Sequence, residues 1–191
     1  MPESSEPPIA RTAQASEAAG GEHRQGAVRV VHYSTARPDH RAAFRDLNLA
    51  WIERHFAVEP RDRYELEDAE HHILAAGGEI FMAEAEGPNG VEVLGTCALL
   101  AEPDGAMELA KMAVRESARG RGVGRALGEA AVAAAVARGA PRIDLLSNRV
   151  LAPALSLYRA LGFVEAPMPP TEYARADIKM KLDLSGRGSK S

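Results

Sequence analysis

Residues Glu108-Leu-Ala-Lys-Met-Ala-Val-Arg-Glu-Ser-Ala-Arg-Gly-Arg-Gly-Val-Gly-Arg125 decide how this chain is read. An apolar run with strand character ends at Val114, a short charged loop follows, and Arg119-Gly-Arg-Gly-Val-Gly124 opens an alanine-rich helix. The first amides of a helix have no partner within it, and the helix dipole adds positive potential there, so a glycine-lined helix start suits a phosphate or diphosphate. Four arginines, Arg115, Arg119, Arg121 and Arg125, crowd the same place, which is costly unless an anion is expected. The stretch reads as a diphosphate-binding loop.

Two familiar glycine loops fit less well. A P-loop needs a Lys-Ser or Lys-Thr pair after its glycines, and none follows here. A dinucleotide fold is the more serious rival, because Gly122, Gly124 and Gly128 form G-x-G-x-x-x-G with Asp144 downstream. That fold wants its first glycine at the strand end, whereas the polar loop Arg115–Arg119 intervenes, and no second set of alternating strands and helices remains.

Arg119-x-x-Gly122-x-Gly124 resembles the R/Q-x-x-G-x-G/A loop of the GNAT superfamily of acetyl-CoA-dependent N-acetyltransferases. Met112-Ala113-Val114 resembles the strand whose splayed end receives the pantetheine and acetyl carbonyl. Asn148, Ala154 and Tyr158 fall where the family places its second cofactor-binding motif, and Leu157-Tyr158-Arg159-Ala160-Leu161-Gly162-Phe163 is close to its L-Y-x-x-L-G-F signature. The resemblance runs over roughly residues 28–184. It implies an α+β GNAT fold, a mixed and mostly antiparallel sheet flanked by helices, over residues 27–184. It also implies acetyl-CoA as co-substrate, bound by Met112, Ala113, Val114, Arg119, Gly120, Arg121, Gly122, Val123, Gly124, Arg125, Asn148, Ala154 and Tyr158.

Length and composition agree with one domain. The 191 residues suffice for one domain with a sizeable core. The net charge of −4 gives no sign of nucleic-acid or anionic-membrane partners, which makes the arginine cluster a local feature on an acidic background. Cys97 is the single cysteine, which excludes an internal disulfide and suits a reducing cytoplasm. Neither a signal peptide nor an apolar run of membrane-spanning length is evident.

Along the chain, residues 1–26 and 185–191 hold few large apolar side chains and read as flexible tails. Arg29–Tyr33 reads as a first strand, and Pro38-Asp39 opens a helix whose Phe44, Leu47 and Trp51 share one face, Trp51 as core. Residues 59–76 are charged and weakly periodic, a short helix and a loop. Glu79–Ala85, Val91–Leu100 and Met107–Val114 read as three strands joined by the turn sequences Gly87-Pro88-Asn89-Gly90 and Pro103-Asp104-Gly105, hence an antiparallel meander. A helix over Gly122–Arg138 stops at Gly139. A strand at Ile143–Ser147, a helix at Pro153–Leu161, a strand from Phe163 and an alternating last strand at Asp177–Leu184 follow.

Acetyl transfer to an amine requires a base for the ammonium, stabilisation of the oxyanion, and a proton for the departing thiolate. Glu108 lies four residues before Met112, and a period of two places both on one strand face. Histone-acetylating members of the superfamily keep their glutamate base at that spacing. Glu108 is therefore the candidate base, against a plain ion pair with Lys111 or an arginine, or a remote base acting through water. By resemblance Tyr158 is the general acid, the alternative being a core aromatic. Asn148 would bond pantetheine or cap a helix, and amides near Met112–Val114 would meet the oxyanion. Direct attack in a ternary complex leaves Cys97 as a small apolar strand residue. His71-His72 lacks a Cys/His partner set, so no metal is expected. Glu59, Arg61 and Tyr64 lie where the superfamily often lines its acceptor pocket, though a solvated charged face is the favoured reading. A small-molecule primary amine is the expected acceptor. Acetylation of a protein N-terminus or lysine, and a non-catalytic acyl-CoA sensor, are the alternatives. A homodimer is compatible with all three.

Overall fold

The computed structural model describes residues 26–171 and 173–187. The tail expected at residues 1–26 lies outside the described residues except for Gly26, as do residues 188–191 of the C-terminal one. Strand β1 (Arg29–His32) leads to helices α1 (Pro38–His55) and α2 (Pro60–Glu67) and a π-helical turn at Glu70–Leu74. The meander β2 (Glu79–Gly87), β3 (Gly90–Ala101) and β4 (Met107–Val114) follows. After it come α3 (Val123–Ala137), β5 (Arg142–Ser147), α4 (Ala152–Ala160), β6 (Val164–Ala166) and β7 (Ile178–Asp183). The strands form one seven-stranded sheet in the order β1-β2-β3-β4-β5-β7-β6. All pairings are antiparallel except β4 with β5.

Each face of the sheet carries its own apolar core. Phe81, Leu99, Leu127, Ile143 and Met180 are buried between the sheet and α3. Phe44, Ile52, Ile73, Ile80 and Met82 fill the side under α1. Alanine, the strongest helix former, dominates α3 and lets it lie close to the strands. Gly139 stops it at φ 71°, with Gly139 N–H donating to Val136 O and Ala140 N–H to Ala135 O, a Schellman ending. At the opposite end, α1 is fastened by a buried charge cluster. His40 Nδ1 accepts from Ser34 N–H, so Nε2 donates to Glu84 Oε1 at 2.9 Å, beside Arg37 Nη1 at 2.6 Å. Burial pushes the Glu84 carboxyl up, but the bonds from His40, Arg37 and Arg29 outweigh it and hold the pKa below the usual range.

Two irregularities of β4 position the site. The parallel pairing with β5 is confined to Met107↔Ile143 and Glu108↔Asp144, so the strands diverge from Leu109 onward and open a gap in the sheet. In addition, Ala98 pairs with Ala110 while Thr96 pairs with Ala113, so Lys111 and Met112 face one residue, Cys97. Lys111 takes φ 50°, the left-handed region that a bulge of this kind normally gives to glycine. Strand alternation changes phase across the bulge. Met107 and Leu109 belong to the α3-side core, and Met112 and Val114 pack against that same core. Glu108 and Met112 therefore lie on opposite faces, because the extra residue breaks the period of two that would have put them together.

Candidate active site

The gap between β4 and β5 is the waist of a cleft of about 770 Å³. At one end stand the loop after β4 and the start of α3. At the other stand the C-terminal half of α1, Asp62 of α2 and the segment before β7 that carries Tyr173 and Arg175.

The glycine loop has the geometry expected of an anion cradle. Gly120 and Gly122 adopt φ 75° and 78°, and a Cβ at either would meet nothing within 4 Å, so the glycines serve backbone conformation and an open approach. Gly122 is the N-cap of α3, with no side-chain cap and no acidic residue in the first turn. By contrast, α2 is closed by a capping box between Glu59 and Asp62. The leading amides of α3 thus face the cleft without an internal anion. The arginines divide. Arg119 and Arg125 line the cleft, each with a single long ion pair among the described residues, to Glu116 at 4.0 Å and to Glu129 at 3.7 Å. Arg115 instead donates from Nε and one Nη to Val93 O, fixing the loop to β3, and Arg121 is not part of the wall. A cradle of two arginines replaces the cluster of four. Gly120, Gly122, Val123 and Gly124 complete that end, and a Cβ on Gly124 would come within 3.2 Å of Leu157 on α4.

Met112, Val114, Asn148, Ala154 and Tyr158 also line the cleft, whereas Ala113 is buried and is not part of the wall. The Tyr158 phenol is pushed up to about 12 by burial and keeps its proton at neutral pH. Glu108, on the other face of β4, is pushed up to about 7, first by burial. Glu102 and Glu65 raise it further, while Arg61 and Lys111 oppose the shift. The Asn148 amide is already engaged at both ends, accepting from Val150 N–H at 2.9 Å and donating to Arg175 O at 2.6 Å. It ties the end of β5 to the segment before β7. Cys97 is fully buried with its Sγ near Leu127 O, and burial raises its thiol, as fits a packed strand residue.

Sequence reasoning missed the polar network at the α1 end of the cleft. Lys111 Nζ lies 3.0 Å from Asp62 Oδ1, 2.8 Å from Glu65 Oε2 and 2.9 Å from the Tyr173 hydroxyl. Arg175 grips both oxygens of Asp62 at 2.7 and 2.8 Å and lies 3.2 Å from Glu59, whose carboxylate accepts from the amides of Ala174 and Arg175. Arg61 donates to Glu65 at 2.7 Å. Glu59 and Arg61 are consequently members of a part-buried network, not a solvated face. Tyr64 does point to solvent, at 59% exposed, and stacks on His72. The one cue in the sequence was a lysine inside the apolar run of β4. Trp51 differs from a plain core residue too: it packs on the α1-side core with one side and lines the cleft with the other. No group of three or more metal-ligating side chains occurs among the described residues.

Residues 76–165 match the family model of the GNAT acetyltransferase domain, the span that holds the splay, the glycine loop and Tyr158. Over this span the chain is similar to the GNAT acetyltransferase superfamily. Solved structures agree in fold across nearly the whole GNAT domain. A GNAT-family acetyltransferase from Staphylococcus aureus superposes with TM-score 0.71 at 19% identity, covering 83% of this chain and 99% of its own. An acetyltransferase from Streptococcus agalactiae gives 0.68 at 23% identity, with 82% and 98% covered. A Bacillus subtilis acetyltransferase solved in complex with CoA gives 0.59 at 22%, with 83% and 99% covered. No curated protein matches the chain.

Proposed function

We propose that this protein is a cytoplasmic N-acetyltransferase. It transfers the acetyl group of acetyl-CoA to the primary amine of a small molecule, by direct attack within a ternary complex. The observation that carries this reading is one continuous cleft, in which the uncapped start of α3 leads through the gap between β4 and β5 to Glu108. The cleft fits the co-substrate: two glycines leave the loop open, Arg119 and Arg125 supply charge for a diphosphate, and the splay gives a slot for an extended arm. The solved Bacillus subtilis relative with CoA supports the same choice.

The chemistry follows from where the protons reside. Glu108 takes a proton from the acceptor ammonium, with its pKa near 7 placing it close to the working pH of a base. The amine nitrogen then forms a bond to the acetyl carbon, amides of β4 freed by the splay meet the oxyanion, and the carbon–sulfur bond breaks. Tyr158 protonates the departing thiolate, and the second proton lost by the nitrogen restores the phenol by way of solvent, while Glu108 releases the first. The balance is one ammonium and one thioester converted to one amide, one thiol and one released proton.

If Glu108 is the base, kcat/KM rises with unit slope as pH climbs toward 7 and levels above it, since only the carboxylate accepts a proton. In Glu108→Gln that limb disappears and the rate falls by roughly 10²-fold or more. A variant retaining the same limb would assign it to the acceptor or to another group. The cofactor end is tested by Gly122→Ala, which places a Cβ at φ 78° on the open side of the loop. Acetyl-CoA should bind at least tenfold more weakly, about 1.4 kcal/mol, by calorimetric titration. Arg119→Ala should also weaken binding, by a margin that shrinks in high salt. Cofactor binding with no thiol release for any amine would instead fit a non-catalytic acyl-CoA-binding domain.

A further inference from the structure

The acceptor end of the cleft has an electrostatic and apolar character of its own. Its cations are already committed. An ammonium has three donors, and those of Lys111 face Asp62, Glu65 and Tyr173. Arg175 is spent on both oxygens of Asp62 and on Glu59. The carboxylates Glu59, Asp62 and Glu65 are thereby matched by Arg175, Lys111 and Arg61, and Asp144, beside Glu108 in the sheet, is matched by Arg142 and Lys179. Among the described residues, Glu108 is the acid of the cleft wall that stands outside these pairs.

The same cleft is lined by Trp51, His55 and Phe56, an aromatic wall with the Trp51 ring centroid 5.3 Å from His55 and 6.1 Å from Phe56. A carboxyl group and an aromatic surface in one cleft, with Lys111, Arg175 and Arg61 each held by carboxylates among the described residues, favour a ligand that brings positive charge and a flat apolar body. It disfavours one that also brings an anion, since a carboxylate here would find no free partner and would stand against Glu108.

Resting on the acetyltransferase reading, we infer that the acceptor is an aralkylamine without an acidic group, its ammonium at Glu108 and its ring against Trp51 and Phe56. An α-amino acid or a phosphorylated amine is selected against by the same wall.

Trp51 is the only tryptophan of the chain, so its fluorescence reports on this end directly. Phenethylamine and phenylalanine differ by one carboxylate and make a matched pair of probes. Titrated into the CoA-bound protein, phenethylamine should give a saturable change with Kd at least tenfold below that of phenylalanine, and 3-phenylpropionate should bind more weakly still. Butylamine, which lacks the ring, should also bind at least tenfold more weakly than phenethylamine. Glu108→Gln should narrow the gap between phenethylamine and phenylalanine. Equal or tighter binding of phenylalanine, equal binding of butylamine, or no saturable response to phenethylamine would each overturn the inference. Thiol release from acetyl-CoA is followed separately. Selective phenethylamine binding without thiol release supports the inference and counts against acetyl transfer. Thiol release with phenylalanine preferred does the reverse.

Discussion

Tyr158→Phe should reduce kcat by roughly 10²- to 10⁴-fold while leaving acetyl-CoA affinity nearly unchanged. The substitution keeps the ring, which lies 6.1 Å from the Phe163 ring at a tilt of 59°, so packing between α4 and the start of β6 should survive. What it removes is a phenol held protonated by burial, on the wall of the same cleft as Glu108. A thiolate leaving into that waist without a donor forms at higher energy, and the loss belongs to the transition state, so kcat carries it. Single-turnover thiol release, with circular dichroism to show an unchanged fold, is the measurement. Full turnover in a folded variant would remove Tyr158 from the chemistry. A loss shared between kcat and cofactor binding would make the hydroxyl a positioning group for CoA.

How much of this could be read from the chain depends on whether the information was local. The meander, the glycine loop and the α3 stop were legible because each rests on residues adjacent in sequence, such as Gly87-Pro88-Asn89-Gly90 before β3 and Gly139 after α3. Glu108 and Tyr158 were singled out by spacing and resemblance, and both line the cleft. The argument that placed Glu108 beside Met112 failed because a bulge inserts one residue at Lys111, and no turn residue announces it: the left-handed position is held by a lysine. Arg115 looked like a phosphate ligand on proximity alone, yet Val93 O lies within reach across the sheet and takes its guanidinium. The network of Glu59, Asp62, Glu65, Lys111, Tyr173 and Arg175 was invisible for a different reason. Its members come from α2, β4 and the segment before β7, more than a hundred positions apart at the extremes, as with Glu59 and Arg175. Apart from Lys111, set inside the apolar run of β4, each looked like an ordinary surface residue until the fold assembled them.

That network makes Lys111→Met the substitution with the largest expected effect on stability. Methionine matches the length of the lysine stem but leaves Asp62 and Glu65 buried with one cation fewer, at 0% and 7% side-chain exposure. Breaking a buried ion pair from one side costs about 3–5 kcal/mol, which for a domain of this size lowers Tm by about 6 °C or more. The pH dependence has a defined sign. The Lys111 ammonium is raised from 10.5 to about 12: burial pulls it down, but Tyr173 and Glu65 outweigh that. Its contribution is therefore complete below 10.5 and disappears as pH climbs through 12. Asp62 and Glu65 are held below their ordinary 3.8 and 4.5, since their bonds to Arg175, Lys111 and Arg61 outweigh burial, so their share is present above those values and is lost as acid titrates them. Wild type should then show a stability plateau through neutral pH with both an acid and an alkaline decline, and Lys111→Met should lose height and most of the alkaline decline. Because Lys111 also anchors Tyr173, the acceptor KM should rise more than kcat falls in whatever fraction remains folded. A double-mutant cycle with Glu65→Gln should give a coupling of about 0.5–3 kcal/mol. Additive effects, or a Tm within about 2 °C of wild type, would show that the lysine is tolerated in the bulge without holding the acceptor end together.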